Sequence, residues 1–155
     1  MSDRGAIEET FAAVPVLSHL SPRQRARLAG FATTRSYPAG ATIVRQGDTS
    51  MALYVILSGA VDIERSGGDG AAVSVGEAGP GGCFGEMGLI EDQPRAATVV
   101  ARETTECALL AKWDFQNELR NDPDIALAVL PVLTERIRDL DERLARVGDR
   151  NVPAG

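Results

Sequence analysis

The segment FGEMGLIEDQPRAATVVA (residues 84–101) places two glycines around a glutamate and follows them with a single arginine. Gly85 and Gly88 lack a Cβ, so a ligand can approach the backbone closely at both positions. A short helix over EMGLIE would present unpaired backbone N–H groups and the positive end of its dipole. So short a helix needs tertiary support or a ligand in order to form. The segment therefore predicts an anion-binding turn.

Two charged side chains in this segment match the parts of a nucleotide. Ionised Glu86 can only accept hydrogen bonds, which suits the hydroxyl groups of a sugar. Arg95 presents a planar fork of donors that suits a pair of phosphate oxygens. A surface ion pair between Glu86 and Arg95 on a Gly-rich loop is the alternative, and spacing alone favours that alternative.

The sequence around this segment has the texture of a small β protein. From residue 33 to 112, short β-branched runs alternate with turn residues. The run VDIE (61–64) alternates apolar and acidic side chains, as a half-buried strand does. The run ALYVIL (52–57) is apolar on both faces, as a central strand is. Regular spacing of strands and turns predicts an antiparallel barrel, jelly roll or sandwich.

Helices are predicted on both sides of the strands. The stretch 5–13 and the stretch 21–31 read as short amphipathic helices, the second with Ser21 as N-cap and Pro22 at its first position. After the strands, residues 114–121 read as a helix capped by Asp114. A longer helix then opens at residues 122–124.

The longer helix carries a second pattern. We expect Pro131 to kink it, because proline lacks the N–H that the preceding turn needs. Its apolar residues are spaced three and four apart and form a heptad seam of about two and a half repeats: Leu130, Leu133, Ile137, Leu140, Leu144 and Val147. The seam is either a lid on the chain's own barrel or a dimer interface. Arg136 and Asp141 flank it and could pair across a parallel dimer, which slightly favours self-association. Residues 148–155 are expected to form a loose tail.

Composition excludes several classes of function. The formal net charge is −6, whereas binding to nucleic acid or an anionic membrane needs clustered Lys and Arg. The longest apolar run, 52–57, is far shorter than the ~20 residues that cross a bilayer, and the start of the chain lacks a signal-peptide pattern. We therefore expect a soluble, cytoplasmic protein with no membrane segment.

The sequence is poor in catalytic and metal-binding residues. Cys83 and Cys107 are too few and too irregularly placed for a disulfide scaffold or a zinc site, so we expect buried free thiols. His19 is the only histidine and lies outside the strands, which removes a metalloenzyme of the cupin type. We expect no metal and no enzymatic activity.

Taken as a whole, FGEMGLIEDQPRAATV (84–99) resembles the phosphate-binding cassette of the cyclic nucleotide-binding domain family. Residues 37–63 resemble the first strands of that family, and the resemblance covers roughly residues 8–147. It implies a mainly β fold, an antiparallel β-roll (double-stranded jelly roll) with N-terminal helices and a C-terminal helical lid.

The implied domain is single and spans residues 1–147. Its helices lie at about 5–31, its roll at about 33–112 and its C-terminal helices at about 114–147. About eight residues follow Val147, so the resemblance to transcription factors of this family does not extend to a DNA-binding domain, although the chain could be a fragment of a longer protein.

The resemblance also implies roles for particular residues. Glu86 would hold the ribose 2′-hydroxyl and Arg95 the cyclic phosphate. Backbone N–H groups of four residues would complete the phosphate cradle: Gly85, Met87, Gly88 and Ala96. Members that prefer cGMP usually have Thr or Ser directly after the arginine, so Ala96 implies cAMP, with cGMP possible as a second ligand.

In this family the last helix covers the base, which makes Leu140, Asp141 and Leu144 the lid candidates. Leu140 cannot hydrogen-bond the adenine amino group, whereas Asp141 could accept from it. The resemblance thus implies a cAMP sensor whose last helix responds to ligand. The alternative is a nucleotide-free module of the same fold that dimerises or docks a protein partner through its last helix. The presence of both Glu86 and Arg95 favours the sensor.

Overall fold

The computed structural model describes residues 4–148, and the predicted tail falls outside that range apart from Gly148. In chain order the elements are α1 (Arg4–Ala13), a first 3₁₀ helix (Pro15–Leu17), α2 (Pro22–Phe31), β1 (Thr33–Tyr37), β2 (Thr42–Val44), β3 (Ala52–Ser58), β4 (Val61–Ser66), β5 (Ala72–Ala78), β6 (Cys83–Phe84), a second 3₁₀ helix (Glu86–Leu89), β7 (Thr98–Ala101), β8 (Thr105–Ala111), α3 (Lys112–Asn121) and α4 (Asp124–Val147).

The strands form two four-stranded antiparallel sheets, in the orders β1-β8-β3-β6 and β2-β7-β4-β5. This arrangement confirms the expected β-roll with flanking helices. Strand β3 pairs with both β8 and β6, and Leu53, Val55 and Ile56 are fully buried. The run that is apolar on both faces is therefore a central strand, as predicted.

The two faces of β3 belong to different parts of the core, because successive side chains of a strand point to opposite faces. Leu53 and Val55 pack with the helices, in a cluster that includes Phe11, Leu28 and Phe115. The alternate residues of β3 join the cluster inside the roll: Tyr54 and Ile56, together with Ile43, Val61, Val99 and Cys107. The roll is thus filled between its sheets and covered by helices on one side.

The N-terminus of α2 follows the sequence prediction. Ser21 accepts a hydrogen bond from the backbone N–H of Gln24, and the Gln24 side chain accepts one from the Ser21 N–H. With Pro22 at the first helical position, this is a complete capping box.

The predicted cap of α3 is wrong. The helix begins at Lys112 directly after β8, its N-cap is Ala111, and Asp114 lies in the first turn. The Lys112 N–H donates to the carbonyl of Met51 (3.0 Å), so the ladder next to β3 satisfies the donor that a capping side chain would otherwise take. Helix α4 continues through Pro131 to Val147. Within the described part of the chain, no helix is long and apolar enough to cross a membrane.

Candidate functional site

A cavity of about 270 Å³ lies where β6 leads into the second 3₁₀ helix and the chain returns toward β7. All six residues predicted for the ligand site line it: Gly85, Glu86, Met87, Gly88, Arg95 and Ala96. The same wall also contains residues that the sequence analysis did not assign to a site: Ser50, Cys83, Phe84, Gln93 and Pro94. The fold therefore brings the predicted site residues together.

Gly85 makes the tight entry to this site possible. It is the N-cap of the second 3₁₀ helix and has a φ of +86°, in the left-handed region that favours glycine. A Cβ at this position would clash with Nη1 of Arg95 and lie 2.6 Å from the carbonyl oxygen of Ala52. The glycine thus lets the backbone pass directly over the arginine.

Arg95 is buried, and its Nη1 group is unpaired within the described part of the chain. Only 8% of the residue is exposed, and its Nη2 donates to the carbonyl of Ala52 at 2.9 Å. Its guanidinium carbon lies 5.3 Å from the centre of the Tyr54 ring, and that ring stacks on Phe84. Nη1 has no hydrogen-bond partner among residues 4–148. Burial lowers the pKa of Arg95, but a guanidinium stays charged in proteins. The site therefore holds a cation with an unsatisfied donor.

The backbone on either side of Arg95 is held by the loop before β3. The Arg95 backbone N–H donates to the backbone carbonyl of Asp48 (2.7 Å), and the Arg95 carbonyl accepts from the backbone N–H of Gly47 (2.9 Å). The Ser50 N–H donates to the carbonyl of Gln93 (2.9 Å). These bonds fix the backbone at Arg95 with respect to the roll, and the bond from Nη2 to Ala52 orients its side chain.

Glu86 has the opposite character, because both of its oxygens are engaged. Oε1 accepts from Nη2 of Arg136 at 2.8 Å, and Oε2 accepts from the backbone N–H of Val16 at 3.4 Å. Nη1 of Arg136 also contacts the sulfur of Met87 at 3.2 Å. One carboxylate thus joins the second 3₁₀ helix to α4 and to the first 3₁₀ helix.

Arg136 is the site residue that the sequence analysis missed. We expected it to flank a dimer seam, but in this structure it reaches back 50 residues along the chain to Glu86. The heptad pattern gives the face on which a helical residue lies, but it does not identify the carboxylate it will meet. Arg95, Arg136 and Glu86 together carry one net positive charge, and of the three, Arg95 and Glu86 line the cavity.

The acidic turn between Glu86 and Arg95 is partly neutralised. Asp92 pairs with the ammonium group of Lys112, whose side chain is nearly buried at the start of α3. This ion pair ties the turn to α3 and offsets one of the negative charges next to the site.

The predicted lid residues do not line the cavity. Leu140 and Leu144 are 52% and 66% exposed, and Asp141 is exposed as well. Leu140 lies instead in a separate groove of about 380 Å³ that also involves Pro15 and Arg136. Of the whole heptad seam, only Leu133 packs against the core, while five members are exposed: Leu130, Ile137, Leu140, Leu144 and Val147.

The remaining candidate residues are the two cysteines and the histidine. Burial raises the pKa of both Cys83 and Cys107 to about 11, and Glu86 contributes to the shift at Cys83, so neither thiol forms a thiolate readily. Cys107 is buried as predicted, whereas Cys83 is only half-buried at the cavity. His19 lies at the surface, 3.8 Å from Glu135. No group of metal-binding side chains is found from residue 4 to residue 148.

Comparisons with known proteins agree with this geometry. The sequence profile of the family described as "Cyclic nucleotide-binding domain" matches residues 34–122, more than half of the chain. A cAMP-dependent protein kinase regulatory subunit from Aspergillus niger is 38% identical over 112 residues, which are 72% of this chain and 26% of the relative. The Cyclic AMP receptor protein of Thermus thermophilus is 34% identical over 130 residues, which are 84% of this chain and 60% of the relative.

A solved structure shows the same fold at the scale of one domain. The N-terminal domain of a transcriptional regulator from Streptomyces coelicolor superposes with a TM-score of 0.79 at 27% identity, covering 87% of this chain and 94% of that one. The chain spans less than two thirds of the length of either curated relative. By profile match and by fold, this chain belongs to the cyclic nucleotide-binding domain family, a family of regulatory ligand-binding domains.

Proposed function

We propose that this chain binds a cyclic nucleotide, with cAMP preferred, and acts as a cytoplasmic regulatory module without enzymatic activity. We take residues 1–147 as the single domain responsible. The observation that carries the proposal is the unpaired, buried Nη1 of Arg95 at the wall of the cavity. Leaving a buried charged donor unsatisfied costs free energy, and an anionic oxygen at this point recovers it.

The phosphate of the ligand lies between Arg95 and the second 3₁₀ helix in this proposal. Backbone N–H groups of Gly85, Met87, Gly88 and Ala96 surround it in this proposal, that of Gly88 after release from the Gly85 carbonyl, and glycine at two of these positions allows close approach. A cyclic phosphodiester carries one negative charge, which balances the single excess positive charge of the three charged residues described above. A ligand with a dianionic phosphate would leave one negative charge without a partner among these three residues.

Glu86 receives the ribose 2′-hydroxyl. An ionised carboxylate has about four lone-pair sites, and Glu86 uses two of them, for Arg136 and for Val16. The hydroxyl can therefore bind without expelling either partner. Arg136, Val16 and the ribose hydroxyl then share one carboxylate. The position of α4, which carries Arg136, therefore becomes sensitive to the ligand.

Base preference follows from Ala96. Its methyl side chain offers no hydroxyl to the amino group of guanine, so the site gains nothing from guanine over adenine at this point. The names of the two curated relatives given above both refer to cAMP. We therefore propose cAMP as the preferred ligand and cGMP as the weaker one.

Closing of the lid is the proposed response. Leu140, Asp141 and Leu144 lie on the half of α4 beyond Arg136, so a shift of that arginine on Glu86 moves them as a unit. Ligand can shift the helix only by as much as its contacts differ between the two positions of α4. The shared carboxylate supplies such a difference.

As the alternative to a lid, the exposed seam of α4 favours a second copy of this chain as partner. Leu140 and Leu144 lie with Ile137 on a face with heptad spacing, and more than half of each side chain is exposed. In this proposal Leu140→Glu gives a monomer in light scattering, whereas Asp139→Ala, a change at an exposed position on the same helix, leaves the dimer intact. A wild-type chain that is monomeric at all concentrations contradicts the dimer.

Titration of the wild-type chain and of Arg95→Met with cAMP and with cGMP tests the proposed function. At a ligand concentration of 100 times Kd, binding stabilises the fold by about 2.7 kcal/mol, or roughly 5–11 °C in Tm for a chain of this size. Arg95→Met keeps the buried stem but removes the charge, so the ligand-induced rise in Tm disappears.

Arg45→Met is the matched control, because Arg45 is exposed and does not line the cavity. Arg45→Met also loses one positive charge, and we expect it to keep the ligand-induced rise in Tm. A wild-type chain that binds neither nucleotide refutes the proposed function. A normal rise in Arg95→Met refutes the role of the arginine.

A further inference from the structure

Two buried side-chain polar atoms in the described residues lack a hydrogen-bond partner, and both belong to the wall of the same cavity. One is Nη1 of Arg95, and the other is Oγ of Ser50. Native proteins pair the great majority of such atoms, so two unpaired ones at one cavity indicate that a ligand satisfies them. The sequence analysis assigned no role to Ser50.

The surroundings of Ser50 make its hydroxyl hard to explain by packing alone. The residue is 3% exposed, in the loop before β3, and its backbone N–H is already bonded to Gln93. Its hydroxyl lies against Gly88, and a Cβ on Gly88 would clash with it. An alanine at position 50 would keep the packing without burying an unpaired hydroxyl. The glycine thus leaves room for a polar group that the free protein does not use.

We propose that Ser50 is a further ligand-binding residue, whose Oγ donates a hydrogen bond to one non-bridging oxygen of the cyclic phosphate while Arg95 binds the other. This inference rests on the proposed function. A phosphodiester has two such oxygens that share one negative charge, and it needs donors on both. The structure offers an unpaired donor for each, held by the loop before β3 and by the segment before β7.

The hydroxyl becomes accessible when the second 3₁₀ helix moves away from it. This helix has four residues, and the bonds from Gly88 to Gly85 and from Ile90 to Met87 are both 3.1 Å long. A single turn of this kind is weak by itself, because helix formation is unfavourable for so few residues. Binding of the phosphate oxygen at Ser50 therefore requires a displacement of the Gly88 backbone.

The first test measures the affinity of Ser50→Ala for cAMP by calorimetry, using the full chain. We expect binding to weaken by about tenfold, as for loss of one hydrogen bond to a charged group. The Tm of the free protein stays unchanged or rises, because an unpaired buried hydroxyl has been removed. Ser58→Ala, at an exposed position on β3, is the matched control and changes neither quantity. Ser50→Gly adds no atoms and replaces Ser50→Ala if that variant does not fold.

The second test uses the two phosphorothioate diastereomers of cAMP, in each of which sulfur replaces one non-bridging oxygen. Sulfur is a weak acceptor, so the diastereomer that places it at Ser50 binds the wild type poorly but loses little more in Ser50→Ala. For the other diastereomer, Ser50→Ala weakens binding by the full tenfold relative to the wild type.

Three results overturn the inference in different ways. An affinity of Ser50→Ala within about twofold of wild type shows that the hydroxyl does not bind the ligand. Equal losses for both diastereomers show that the residue acts through packing. In both cases the wild type still binds cAMP, so the proposed function stands. If the wild type binds no cyclic nucleotide, the proposed function fails and this inference fails with it.

Discussion

The ion pair between Arg136 and Glu86 gives the sharpest prediction about how α4 is held. We consider Arg136→Gln, which keeps much of the stem and removes the charge. A charge-assisted hydrogen bond at 2.8 Å contributes about 1.5–3 kcal/mol when buried, and an exposed ion pair about 0–1 kcal/mol. The Glu86 side chain is 17% exposed and that of Arg136 is 36% exposed. Between these limits we expect a coupling of about 1–1.5 kcal/mol.

A double-mutant cycle isolates this coupling. Urea unfolding is measured for the wild type, Arg136→Gln, Glu86→Gln and the double variant, and the coupling is the departure from additivity. We expect the coupling to shrink at high salt, because the arginine is partly exposed to solvent. The variant Arg138→Gln, two residues further along α4 at an exposed position, is the matched control and should be additive with Glu86→Gln.

Ligand affinity provides an independent result from the same variants. In Arg136→Gln the charge of Glu86 is no longer offset, and under the proposed function the anionic phosphate lies nearby, so we expect cAMP affinity to fall several-fold and to recover partly in the double variant. A coupling below about 0.3 kcal/mol, which is within the error of additivity, would refute the argument that Glu86 holds α4.

Three further predictions concern the turn at Gly85, the ion pair between α2 and α3, and the base preference of the site. Gly85→Ala places a Cβ at φ +86° against the guanidinium of Arg95, so we expect the free energy of unfolding in urea to fall by about 1–3 kcal/mol and cAMP binding to be lost. A variant as stable as the wild type would contradict the strained turn. Glu118 accepts two hydrogen bonds from Arg27, which lower its pKa below the ordinary value of about 4.3. The stability contributed by this ion pair is fully present above about pH 4.3 and is lost as the pH falls through the lower folded pKa of Glu118. The urea midpoint of Glu118→Gln should therefore depend less on pH below about 4.5 than that of the wild type. Identical pH profiles would contradict the prediction. Ala96→Thr adds a hydroxyl next to the cavity and should raise the ratio of cGMP affinity to cAMP affinity in calorimetry, and an unchanged ratio would remove Ala96 as the determinant.

The sequence predicted the β-roll well because its evidence is local. In VDIE (61–64), apolar and acidic side chains alternate with the period of two that a strand imposes, and ALYVIL (52–57) is apolar on both faces, as a strand paired on both sides is. The cap of α2 was equally local, since Ser21 and Gln24 are three residues apart. Gly85 was identified because a residue without Cβ allows close approach to the backbone, and in the structure it is the Arg95 side chain that approaches it closely.

The sequence could not predict contacts that depend on how distant segments meet. Arg136 and Glu86 are 50 residues apart, and Val16 and Glu86 are 70 apart. Nothing in the charge of an arginine selects one carboxylate among the 22 acidic residues of the chain. Ser50 was overlooked for the same reason, since a serine in a loop is unremarkable until its burial is known. Asp114 has the chemistry of an N-cap, but continuous strand-to-helix geometry at Lys112 took precedence.

The two charged residues of the site differ in a way that separates affinity from response. Arg95 is bonded to Ala52 in β3 and has a donor that is unpaired among residues 4–148, so we expect the phosphate of the proposed ligand to bind there without moving α4. Glu86 already accepts hydrogen bonds from Arg136 and from the first 3₁₀ helix, so we expect a ribose hydroxyl to join these two partners and to gain less free energy there. Only an interaction that differs between two positions of α4 can shift that helix. Under the proposed function, we therefore expect the phosphate end of the ligand to supply most of the binding free energy and the ribose end to supply the coupling to α4.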